Sequence, residues 1–306
     1  MPPTPRQFAL AGLAAVAGVA LTRGRRTRPD TATQAHVEAA RTFNRSSALL
    51  ALSVLADSAM EHYRGSFDNP AMFAPLAASV GSLLAGAHGG RDRAPQRHPV
   101  RDAAFVAAAL AGVAGTAFHL YNVGKRPGGF NWHNLFYAAP VGAPMALLLS
   151  GALGAVAERL RDEPEHAPRL FGMPAGRALA LLTSAGLLGT LGEVSLLHFR
   201  GAFQNRAMYA PIVVPPGAAA ALVHSALARR RPARVGNVLT RVLLRLTTAL
   251  GFVGVAFHAR GIARNQGGWR NWSQNLFSGP PLPAPPSFSA LALAGLAAHR
   301  LREWER

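Results

Sequence analysis

His62-Tyr-Arg-Gly-Ser-Phe-Asp-Asn-Pro-Ala-Met-Phe-Ala-Pro75 returns 136 residues later as His198-Phe-Arg-Gly-Ala-Phe-Gln-Asn-Arg-Ala-Met-Tyr-Ala-Pro211, identical at nine of fourteen positions. Two further pairs follow in the same order. Gly112-Val-Ala-Gly-Thr-Ala-Phe-His119 matches Gly251-Phe-Val-Gly-Val-Ala-Phe-His258, and Gly128-Gly129 with Asn131-Trp132 matches Gly267-Gly268 with Asn271-Trp272. Matching order at a nearly constant offset points to a tandem duplication of one unit of roughly 140 residues. His, Arg, Asn and Trp recur along with packing residues, so the comparison marks what both halves need.

Around these motifs the chain is apolar. Half of its residues are hydrophobic and 15% are charged, while Lys and Arg outnumber Asp and Glu by 32 to 14. A soluble nucleic-acid binder would spread its cations along helices that also carry acidic residues. Here the cations avoid eight Ala-, Leu-, Gly- and Val-rich runs, each near the length needed to cross a hydrocarbon core of about 30 Å. The bilayer is therefore the expected partner, and nucleic acid is not. Cysteine is absent, which rules out disulfides, iron–sulfur clusters and thioether-linked haem. The Ala, Arg, Gly and Pro usage is that of a GC-rich bacterial genome.

The expected fold is all-α: a polytopic integral membrane protein of two tandem four-helix units. Spanning helices are placed near 46–64, 70–88, 102–123 and 134–157, then near 178–200, 206–228, 238–260 and 276–300. A weaker apolar segment from Phe8 to Leu21 adds an N-terminal helix, kept uncleaved by the arginines that follow it. The chain divides into residues 1–42, this helix with a basic linker; 43–165, the first unit; and 166–306, the second. Pro140 and Pro144 match Pro281 and Pro285, and Pro215-Pro216 falls in the sixth helix. These prolines predict irregular backbone lining a pocket in the outer half of the membrane.

Alternate loops differ in charge. Those at 23–45, 91–101, 159–177 and 229–245, with the C-terminal tail, hold 23 Lys and Arg, and the opposite side holds 9. By the positive-inside rule the first set is cytoplasmic. An even number of crossings per unit makes the duplication parallel, and the repeated motifs then all fall on the extracytoplasmic face of a bacterial inner membrane. The two units are expected to pack through equivalent surfaces that bring these motifs together.

The candidate site centres on His62, His119, His198 and His258, because neutral imidazole ligates metals and serves as the axial ligand of haem b. Gly112 and Gly115 share a helix face with His119, as Gly251 and Gly254 do with His258. A face without side chains makes room either for a flat macrocycle or for a close-packed neighbouring helix. Asp57 and Glu193 lie five residues before His62 and His198. An ionisable group within a span is paired or functional, and each carboxylate is expected to orient a neighbour's histidine from behind. Arg64 and Arg200 follow the histidines as candidate anion contacts. Trp132 and Trp272 read as interface anchors.

Metalloprotease, membrane di-iron, nucleophile-elbow and phosphate-loop signatures are all missing, so a stand-alone enzyme is not expected. Three functions remain. The first is a duplicated outward His/Arg site holding haem b or a transition metal, for electron transfer or as membrane partner of a dehydrogenase. The second is a transporter or small-molecule binder with its site between parallel repeats. The third is a structural or assembly subunit working with other subunits of a membrane complex. The charge asymmetry predicts that alkaline-phosphatase fusions after Gly129 are active and those after Arg97 silent. The reverse pattern would overturn the orientation.

Overall fold

The computed structural model describes residues 32–137, 140–162, 169–228 and 234–304. The expected N-terminal helix lies outside them. Ten α-helices occur in the described residues: α1 (Ala32–Arg64), α2 (Ala74–Gly89), α3 (Pro99–Gly124), the short α4 (Trp132–Tyr137), α5 (Gly142–Asp162), α6 (Ala175–Arg200), α7 (Ala210–Leu227), α8 (Arg234–Arg264), the short α9 (Trp272–Ser278) and α10 (Pro286–Trp304). A two-residue hairpin, β1 (Arg169–Leu170) with β2 (Met173–Pro174), precedes α6.

Among the described residues six segments are long and apolar enough to cross a membrane: Pro70–Gly89, Pro99–Gly124, Gly142–Arg161, Ala175–Arg200, Arg206–Leu227 and Val235–Arg264. That is the make-up of a multi-pass membrane protein. Six is fewer than the eight expected, because α1 and α10 fall short in hydropathy. Burial gives the reason for α10: from Pro286 to Arg302 most of its residues are buried inside the bundle, and a helix that faces protein needs no continuous apolar surface. Helix α3 is the opposite case, with Leu110, Val113 and Phe118 all exposed.

Helix ends also differ from expectation. The single helices expected at 134–157 and 276–300 are each two pieces, with Pro140 between α4 and α5 and the run Pro280 to Pro285 between α9 and α10. Proline lacks an N–H and fits best in the first turn of a helix, so Pro144 falls in the first turn of α5, and Pro281 and Pro285 lie between α9 and α10. Pro215 and Pro216, by contrast, do not interrupt α7, which runs through them. Helix α1 begins at residue 32, inside the expected linker, and at about 1.5 Å per residue it is roughly 50 Å long.

Helices α1, α2, α3 and α5 close one ring of neighbours, and α6, α7, α8 and α10 close another, with α10 also lying along α1. All four motif histidines sit at one end of the bundle. Between α1, α2 and α5 the fully buried hydroxyls of Ser47, Ser82 and Ser150 bond one another, with Ser82 to Ser150 at 2.8 Å. Small polar groups of this kind let helix backbones approach while satisfying their own hydrogen bonds.

At the opposite, arginine-rich end the first ring contains a buried ion network that the sequence reading missed. Glu158 and Arg161 are fully buried and Arg101 nearly so. Arg101 bonds Glu158 at 2.9 and 3.0 Å and Asp92 at 2.7 Å. Arg161 donates to the carbonyls of Gly89, Ala94 and Asp92, and Glu158 also accepts from the His98 N–H at 3.0 Å. Desolvation opposes the charge of Asp92, but the Ala94 N–H and the Arg101 guanidinium outweigh it and hold its carboxyl below the usual range. The network ties the 90–98 loop to α5. In the second ring His299 occupies the place of Glu158, bonding Ser225 at 3.1 Å.

Removing one partner of a buried pair leaves an uncompensated charge and costs about 3–5 kcal/mol. Glu158→Gln should therefore lower the thermal unfolding midpoint in detergent sharply, and His299→Gln should lower it much less. Equal small shifts would mean that the network contributes little. The depressed Asp92 carboxyl adds stability that is present above its unfolded pKa of about 3.9 and lost as pH falls through its lower folded value.

Candidate functional site

The histidines are positioned by the turns that end their helices. Helix α1 stops because Gly65, Ser66 and Phe67 turn back on it: their N–H groups reach the carbonyls of Glu61, Tyr63 and His62 at 3.1, 2.9 and 3.1 Å. Ser66 and Phe67 are left-handed, at φ 57° and 50°, a region that L side chains with a Cβ seldom occupy. The second motif repeats this with Ala202 and Phe203 at 51° and 47°. The strain keeps an aromatic ring in place. Phe67 stacks on Phe73 at 4.4 Å and meets the His62 ring edge-on at 6.2 Å, and Phe203 does the same with Tyr209 and His198 at 4.6 and 6.3 Å. The Asn69 and Asn205 side chains then accept from Ala71 N and Ala207 N, both at 2.9 Å, and open the next helical turn.

One hydrogen bond recurs at all four histidines. His62 Nδ1–H donates to the Met72 carbonyl at 2.7 Å, and His198 Nδ1–H to the Met208 carbonyl at 2.8 Å. His119 donates in the same way to the Pro140 carbonyl, and His258 to the Pro281 carbonyl at 2.6 Å. A carbonyl can only accept, so Nδ1 carries the proton and the neutral ring keeps its lone pair on Nε2. His62 lies within electrostatic range of His119, and His198 of His258. The histidines are thus neighbours within each half. Among the described residues no three His, Asp or Glu converge as a metal-ligand set.

The glycines next to the histidines face helices. A Cβ on Gly112 would lie 2.7 Å from Leu148 Cα of α5, and one on Gly115 would lie 3.1 Å from Pro144 Cβ. A Cβ on Gly251 would lie 2.9 Å from Ser289 N of α10 and 2.6 Å from the carbonyl of Pro285, just before that helix, and one on Gly254 would lie 2.8 Å from Pro285 Cβ. Neighbouring backbone takes the space that a macrocycle would need on that face.

The carboxylates do not stand behind the histidines as expected, because backbone carbonyls already hold that position. Glu193 of α6 accepts instead from the Gly142 N–H at the start of α5, across the junction of the two rings, and no Cβ would fit at Gly142. The favourable field at a helix N-terminus supports a carboxylate there. Asp57 lies within electrostatic range of Glu193 and Glu61. Nearby, Ser53 donates to the Pro283 carbonyl and lies 3.0 Å from the Ser287 hydroxyl.

The same junction gathers the turns. Tyr63 stacks on Phe277 of α9 at 5.1 Å, and Phe199 meets Phe136 of α4 edge-on at 6.0 Å. Arg64 is half exposed and paired with Glu61 at 2.8 Å. Arg200 lies over the rings of Phe136 and Tyr137 at 5.7 and 5.1 Å. Trp132 and Trp272 are exposed.

Asn134 and Asn275 were overlooked in the sequence, since the offset slips by one residue after the tryptophans. Each is buried and holds the preceding loop, with Asn134 Nδ2 donating to Gly129 O and Asn275 Nδ2 to Gly268 O, both at 2.8 Å. No family model, curated protein or solved structure matches the chain.

The glycine contacts predict opposite outcomes along the chain. Gly112→Ala and Gly251→Ala press a methyl group onto immobile backbone and should destabilise by about 1–3 kcal/mol. Gly189→Ala, in α6 with nothing within 4 Å, should be neutral or gain up to about 1 kcal/mol of helix propensity. Thermal unfolding in detergent checks this, and equal effects at all three positions would contradict the packing.

Proposed function

We propose that this chain is an eight-crossing inner-membrane protein of two parallel four-helix units, and that it binds a transition-metal ion at each of its two histidine pairs on the extracytoplasmic side. The observation that carries the reading is the Nδ1–H to carbonyl bond found at all four repeated histidines. It fixes ring orientation and tautomer and leaves Nε2 as the ligand atom, the arrangement by which second-shell acceptors prepare metal-binding histidines.

The filled glycine faces favour an ion over haem b. Two imidazoles per site suit copper(I), which is content with few ligands, ahead of zinc. Such a site would carry electrons or ions, or hold a partner subunit. Helices α1 and α10 complete the eight crossings by spanning the bilayer behind their neighbours.

A second reading rests on the same bonds. Each histidine ties the end of one long helix to the turn or helix that follows, so the four could serve a structural or assembly subunit as staples.

Metal analysis separates the two. Protein reconstituted with copper(I) or zinc(II) should hold two equivalents, one after His119→Ala or His258→Ala and none after both. A wild-type protein that binds no ion above background, with alanine variants losing about 1–3 kcal/mol of stability from unmade hydrogen bonds, would overturn the metal site and leave the staple.

A further inference from the structure

We infer that the hairpin between α5 and α6 is a membrane-surface anchor whose tip residue, Phe171, inserts into the headgroup layer of an anionic leaflet. Phe171 is 93% exposed, more than any other large hydrophobic side chain among the described residues. It is also left-handed, at φ 52°, beside Gly172 at 75°. Two such residues form the tight turn that joins twisted strands, a place where Asn or Gly is usual and a phenylalanine is strained. The exposed and strained ring therefore has no folding role of its own.

The base of the hairpin is fixed. Leu170 is buried in the core with Ala175 and Leu179, and Met173 packs against the same cluster. Arg169 pairs in register with Pro174 and donates to the Gly172 carbonyl. The bundle thus presents the ring from a rigid mount.

The occupant follows from position and charge. The hairpin runs straight into α6 at Ala175 and lies within twelve residues of the end of α5 at Asp162, both helices being candidate spans, so it lies level with the bilayer boundary on the arginine-rich side. This placement rests on the membrane reading above. An aromatic ring flanked by arginine is the side-chain pair that settles among phospholipid headgroups, the ring at the acyl boundary and the guanidinium at phosphate.

The absence of cysteine makes the test clean. Phe171→Cys carrying a nitroxide, in vesicles of phosphatidylethanolamine and phosphatidylglycerol, should be more accessible to oxygen than to a water-soluble nickel chelate. Leu110→Cys on the outer face of α3 and Arg93→Cys in the 90–98 loop give the lipid and water references.

A label at 171 as open to nickel as the one at 93 would place the tip in water and overturn the anchor. One shielded from both probes would mean that protein covers it, which also overturns the anchor. Failure of the label at 110 to read as lipid would instead strike at the membrane reading itself. As a second measurement, Phe171→Gly should raise the unfolding temperature in detergent by relieving the turn. An unchanged or lower value would show that the ring serves folding.

Discussion

Helices already surrounded by hydrocarbon gain little by hiding apolar surface from one another, so close contact and satisfied polar groups must hold such a bundle together. Every long-range feature of this chain follows from that constraint. Gly112 and Gly251 let α5 and α10 approach to backbone contact, and Ser47, Ser82 and Ser150 bond where three helices meet. At one end Arg101, Glu158 and Arg161 secure a loop. At the other, histidines bond to carbonyls of the segments that follow. Polar side chains sit where they join elements.

The two rings share local geometry but differ in their interiors. Turn conformations, asparagine clasps and histidine bonds recur with distances that agree within a few tenths of an ångström. The buried serine cluster and the Arg101–Glu158–Asp92 pairs lie in the first ring, while in the second Arg302 takes the part of Arg161 by donating to the Ala226 and Ala228 carbonyls and Arg241 pairs with Glu303. In the second, Leu291 lies where Ser150 would fall and His299 where Glu158 would. The turns at the histidine end are thus kept alike while the packing beneath them has diverged, and that contrast makes the histidine end the place to look for function.

Much of the fold was legible because helix length and hydropathy are direct consequences of the bilayer. The six long apolar segments could be read for that reason, and α1 and α10 were read less well because so much of their surface is buried against protein. Proline placement misled: the same residue that kinks a helix also starts one, and only the neighbouring chain decides between the two. The histidines were legible through repetition, whereas their carbonyl partners could not be, since backbone acceptors have no sequence signature. Glu158, Arg101 and Arg161 were hidden by the positive-inside rule, which assigns arginines at helix ends to topology before asking whether they are buried.

The account turns on the protonation of four imidazole rings. Nitrogen NMR of the protein labelled with ¹⁵N-histidine, assigned through single-histidine variants, reads the tautomer directly. The geometry predicts protonated Nδ1 and bare Nε2 at His62, His119, His198 and His258, with the Nε2 resonances moving when copper(I) or zinc(II) is added. Rings protonated at Nε2, or Nε2 resonances that stay still in excess metal, would contradict it.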